Sequence, residues 1–179
     1  MAEQRRIRTL YLTRLVFLIA ITLTITLIGL PQPITGPLVN MMLLLTTLIL
    51  GPWAGVTVGT ITPLAAAFRG QLPPFLLPML PFIIIGNALL VWGFKFLAGR
   101  AKTPHVLRSV WHWLGVVVGS TLKFLWLYSA ARLLVPLFFG KALPEAFIAI
   151  MATPQLVTAL IGGVLAFLLY ELLKSRKII

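Results

Sequence analysis

Lys123 and Arg132 lie inside one long apolar run, and Arg69 lies in a short polar break between two others. A charge at membrane depth is costly and needs a partner. None of the three has an acidic neighbour in sequence. The chain holds three acids; Glu3 and Glu171 fall at the opposite ends of their runs, which leaves Glu145 alone on the side of these cations. Three cations sharing one carboxylate suggest recognition of an anion, with the carboxylate or phosphate of a small molecule completing the pairing. Arg132 can instead snorkel to lipid headgroups, and Arg69 can be a solvated loop charge. Lys123 is too deep for easy snorkelling. Lys123 and Arg132 are nine residues apart, which on a regular helix is about 180°. Trp126 therefore shares the Lys123 face and Tyr128 shares the Arg132 face.

Other side chains extend this candidate site. Asn40, Asn87 and Gln155 are polar groups within apolar runs, and Gln71 follows Arg69 in the break. Each can bond a ligand or, equally, a neighbouring helix. Trp126 and Tyr128 offer rings for stacking on a flat molecule. Ser120 and Thr121 lie beside them in sequence.

Nothing comparable assembles for catalysis. There are no paired aspartates, no His-Glu-x-x-His and no cysteines, and His112 has no carboxylate or serine partner in sequence. We expect no enzyme, no metal and no cofactor. A proton-driven carrier usually holds a carboxylate inside the membrane, and this chain has none there. It also lacks G-x-x-x-x-G-K-[ST], so energy for transport would have to come from another protein.

The elements that must position these residues are membrane helices. Of 179 residues, 60% are hydrophobic and 10% charged, with a mean hydropathy of +1.05. A soluble core needs far less apolar surface, whereas lipid demands it. A span takes ~20 residues, so six would use about 120. Apolar runs predict spans near 10–30, 34–50, 53–68, 75–97, 110–137 and 147–173, broken at Pro31-Gln32-Pro33, Gly51-Pro52, 69–74, 98–108 and 140–144. Pro63 predicts a kink, Pro78 and Pro81 an irregular start to the fourth span, and Pro154 an interruption of the sixth. The fold expected is an all-α integral membrane protein, a six-helix bundle forming a single membrane domain over 1–179.

Charge orients it. With the N-terminus in the cytoplasm, eleven of the 15 basic residues lie inside, from Arg5 to Arg14, from Lys95 to Arg108 and from Lys174 to Lys177. Only Arg69 and Lys141 lie outside. That asymmetry predicts both termini inside and an even number of spans. The net charge of +12 serves headgroups, not nucleic acid, because the basic residues flank apolar runs and no nucleic-acid motif is present. Trp53, Trp92, Trp111 and Trp113 are expected in the interfacial belt, with His112 beside them.

Small residues mark close contacts. Gly51, Gly55 and Gly59 recur every four residues, as do Gly115 and Gly119, and Ala20 precedes Thr24 by four. Such faces let backbones approach, either within the bundle or onto a partner helix.

The stretch from Asn40 to Gly59, an apolar helix running into Gly51-Pro52-x-x-Gly55-x-x-x-Gly59, resembles the S components of energy-coupling factor (ECF) transporters. Length, span number and the basic cytoplasmic loop agree with that family. The resemblance implies a substrate-capturing subunit of a prokaryotic vitamin importer, working with a transmembrane coupling protein and two ATPases in the cell membrane. It implies that one small molecule is enclosed near Gln32 to Thr35, Arg69 to Pro74, Asn87, Lys123 to Arg132 and Gln155. It implies partner docking through span 1, where Ala20 is followed by Thr24 in place of a second alanine. A stand-alone solute permease and a membrane scaffold are the other readings.

Overall fold

The computed structural model describes residues 1–72, 74–103, 105–140 and 142–179. Lys141, expected on the outer side, lies outside the described residues, as do Pro73 and Pro104 of two expected loops. The described residues are helical, without strands.

Helix α1 (Ala2–Ile28) ends on Gly29 in the left-handed region, φ 79°, where glycine meets no Cβ penalty. Helix α2 (Gln32–Leu50) starts with Pro33 in its first turn and contains Pro37. Gly51 alone joins it to α3 (Pro52–Phe68), with φ 96° and ψ 174°. A side chain there would be strained, and Pro52 begins the next helix where its missing N–H costs nothing. Helix α3 continues through Pro63.

A 3₁₀ segment (Pro74–Met79) then leads into α4 (Leu80–Ala98), the irregular start expected from Pro78 and Pro81. Helix α5 (Val110–Ser129) passes through one π-helical turn (Ala130–Leu134) into the short α6 (Val135–Phe139). A second break, at Met151 and Ala152, separates α7 (Glu145–Ile150) from α8 (Thr153–Ser175).

Among the described residues, five helical segments are long and apolar enough to cross a membrane: Glu3–Ile28, Gln32–Leu50, Leu76–Ala98, Val110–Phe139 and Glu145–Ser175. The remaining apolar run is α3, helical but only 17 residues long. Short connections make consecutive helices antiparallel. Both termini, Gly51 and the 99–109 connection therefore lie at one end of the bundle, and the other loops lie at the opposite end.

The helices meet closely because glycines line their contacts. A Cβ on Gly115 would stand 2.7 Å from the Phe94 carbonyl oxygen, and one on Gly162 would stand 2.8 Å from that of Pro37. These contacts lock α4 to α5 and α2 to α8. Leu43, Leu44, Leu90, Phe94, Val116 and Phe167 fill the centre.

At the end holding the termini, Glu171 ties the α4–α5 connection to α8. Its Oε1 accepts from the Val106 N–H at 2.7 Å, and its Oε2 lies 3.4 Å from His105 Nδ1. Replacing Glu171 by alanine should raise tryptic cleavage after Arg100, Lys102 and Arg108 several-fold with little change in melting temperature, because the pairing holds a local segment and not the core. Unchanged cleavage kinetics would show that the loop is held by other contacts, such as the Trp113 indole N–H on the Leu107 carbonyl.

Candidate substrate cavity

A cavity of about 310 Å³ opens at the end opposite the termini, between α1, α2, α3, α4, α5, α7 and α8. Its polar lining comes from Thr26, Gln32, Thr35, Asn40, Thr62, Gln71, Asn87, Lys123 and Gln155. Carbon surface from residues such as Val39, Leu72, Ile83 and Met151 covers much of the rest.

Its inner wall is a chain of hydrogen bonds across three helices. Lys123 Nζ, on α5, donates to Asn40 Oδ1, on α2, at 2.7 Å. Asn40 Nδ2 donates to Thr158 Oγ1, on α8, at 3.5 Å. The Thr158 hydroxyl in turn donates to the Gln155 carbonyl at 3.2 Å. Asn87 Nδ2 donates to the Gly59 carbonyl and Gln71 Nε2 to that of Thr26, each at 2.8 Å. Lys123 is 4% exposed and Asn40 2%. An ammonium has three N–H donors, and the structure gives this one a single neutral acceptor. Removing an ion from water costs several kcal/mol unless a counter-charge offsets it. No carboxylate lines the cavity among the described residues. The cavity therefore presents one buried amine, without a carboxylate partner among the described residues, on a mostly apolar surface.

Five of the residues singled out in the sequence, Asn40, Gln71, Asn87, Lys123 and Gln155, come together here. Four do not. Trp126 turns its indole N–H onto the Phe82 carbonyl at 2.9 Å and packs against the Phe82 ring. Tyr128 is 40% exposed and stacks on Phe124, one turn earlier. Arg132 sits on the π-helical turn and pairs with Glu145. Arg69 is exposed at the end of α3. Thus Glu145, the one acid on this side, is engaged by Arg132 and leaves Lys123 alone.

The small-residue faces divide in the same way. Gly55 and Gly59, which could pack within the bundle or dock a partner, are covered by the chain's own helices: a Cβ on Gly55 would meet Thr47 and Leu43 of α2, and one on Gly59 would meet Asn87 of α4. Gly51 is the α2–α3 joint, with open space around it. Ala20 and Thr24 are exposed on α1, and the Thr24 hydroxyl is satisfied by the Ala20 carbonyl at 2.9 Å. His112, expected at the interface, is buried between the rings of Phe94 and Phe167.

Sequence reading missed Thr26, Thr62, Phe147, Met151 and Thr158. Thr62 and Thr158 follow Gly59 and Gln155 by three residues, so helical spacing alone places them on the same faces. Phe147 lies on α7 and Met151 in the α7–α8 break, and no periodic signal marks them.

Membrane-length helices packed around a polar-lined cavity of about 310 Å³ define a multi-pass membrane protein with room for a small molecule. Comparison with known families gives the class its name. Residues 10–174 match the family described as ECF transporter, substrate-specific component, and the chain belongs to that family. It is a substrate-specific subunit of a transporter. No curated protein and no solved structure matches it.

Proposed function

We propose that this chain is the high-affinity substrate-capturing subunit of an ATP-driven importer for a vitamin or related small anionic micronutrient. The observation that carries the reading is Lys123, buried in a ligand-sized cavity with one neutral partner. Such an ammonium is completed by an anionic ligand. The driving energy comes from elsewhere, because the chain has no nucleotide-binding loop. Its partners are a transmembrane coupling protein and two ATPases, met through the exposed Ala20–Thr24 face of α1.

We place the chain in a prokaryotic cell membrane as one membrane domain, with α3 as a sixth span and both termini in the cytoplasm. The concentration of basic residues at the end holding the termini supports this orientation. The cavity then faces outward, where nutrients are met.

Gentle-detergent purification from the native host, with mass spectrometry of the accompanying proteins, tests the assembly. Two ATPases and one further membrane protein are expected. A stable preparation without them, combined with uptake by vesicles holding this chain alone, would make it a stand-alone permease. A stable protein partner with no small ligand would make it a scaffold.

A further inference from the structure

We infer that the molecule held here is a small, singly charged carboxylic acid, bound acid end inward on Lys123 and Asn40, with no extended flat ring. This rests on the capture function proposed above and sharpens it to a substrate class.

Charge sets the first limit. The lining contains one ammonium and, among the described residues, no other charged group. One carboxylate balances it. A phosphate ester or dicarboxylate would bring a second negative charge with no partner, and a cation would meet the ammonium directly. Position sets the second. Gln32 is exposed at the start of α2 and marks the mouth, whereas Asn40, two turns further along, is buried. Beneath Asn40 the α2–α8 contact is closed, since a Cβ on Gly162 would lie 2.7 Å from Asn40 Cβ. The acid group is therefore the end that goes in deepest.

Size and surface set the rest. A volume near 310 Å³ falls at the small end of ligand pockets. Among the described residues, Phe147 is the one aromatic side chain lining the cavity, and Trp126 and Tyr128 are engaged elsewhere. A flat ring system would find no pair of faces to lie between. Neutral polar groups on the ligand are provided for. The Gln155 side chain, 8% exposed, has no hydrogen-bond partner among the described residues, and Asn87 commits only its Nδ2.

The test uses the full-length protein in lipid nanodiscs, with affinities from thermal unfolding and titration. The probes are matched acids and neutral derivatives (lipoate and lipoamide, pantothenate and pantothenol, biotin and biotinamide), with thiamine as a cation, pyridoxal phosphate as a phosphate ester and riboflavin as a flat ring. At least one acid is expected to bind about 100-fold more tightly than its neutral derivative, the range for losing a charge-assisted pairing in a buried site. Lys123→Met should bring the two within about threefold, and Lys123→Arg should retain the preference, which separates lost charge from lost fold. Wild-type protein that binds a neutral derivative, thiamine, pyridoxal phosphate or riboflavin as tightly as any acid would overturn the assignment while leaving capture intact. So would an undiminished acid preference in Lys123→Met. Silence across every class would overturn the capture reading, and this inference with it.

Discussion

Asn40→Leu is expected to abolish ligand capture and to destabilise the protein by about 3 kcal/mol, because it strands a buried ammonium. The Asn40 Oδ1 atom is the one acceptor that Lys123 has at 2.7 Å. Leucine fills similar volume, so the loss comes from unpaired charge and not from a cavity. The same change breaks the link to Thr158 and hence the tie from α5 through α2 to α8. The companion substitution Asn40→Asp should do something different. It supplies a counter-charge, so the unliganded protein should melt at a higher temperature. It also occupies the partner position of an incoming anion, so acid binding should fall by at least tenfold. Thermal unfolding in nanodiscs, with and without ligand, reads both effects. An Asn40→Leu protein that melts and binds like the wild type would show that Lys123 has another partner.

Gly119→Val should leave little folded protein. A Cβ at Gly119 would fall against the Leu90 carbonyl oxygen and within 3.1 Å of the Phe94 nitrogen. These are backbone atoms of α4, which cannot rotate aside. Lipid gives helices no hydrophobic reason to associate, so close packing carries the contact between α4 and α5. Forcing the pair apart should cost about 2–4 kcal/mol for Gly119→Ala and more for valine. Lys123 lies one turn beyond Gly119 on α5. A displaced α5 therefore withdraws its ammonium from Asn40, and capture should fail together with folding. Size-exclusion in mild detergent is the readout, with Val117→Ala on the exposed side of α5 as the control expected to behave as wild type. A monomeric Gly119→Val peak with unchanged melting temperature would mean that α4 and α5 do not depend on this contact.

Much of the helical layout is legible in the chain because prolines, glycines and apolar runs act locally. Gly29, Gly51 and the 3₁₀ start before α4 all fall where turn chemistry demands them. The π-helical turn at 130–134 has no comparable sign. The candidate site divides along the same line. Asn40, Asn87, Lys123 and Gln155 stand out because polar atoms at membrane depth must be satisfied, and that requirement belongs to each residue alone. Whether Trp126, Tyr128 and Arg132 meet a ligand depends on which way the end of α5 turns and on where Glu145 comes to rest. Those are tertiary facts. Gly55 and Gly59 carry the same ambiguity, since a glycine face signals close approach without saying which helix approaches.

The single-residue joint at Gly51 bears on how the protein is made. Helix α3 spans only about 26 Å at 1.5 Å per residue, less than the ~30 Å of a bilayer's hydrocarbon core. Between α2 and α3 there is no polar segment that could wait in water on either side while one helix inserts. On the six-span reading proposed above, the two are expected to leave the ribosome's insertion channel together as a hairpin, with Gly51 at its tip. The unit that enters the membrane is then the helix pair, and Gly51 has its first task during synthesis, before there is any cavity to build.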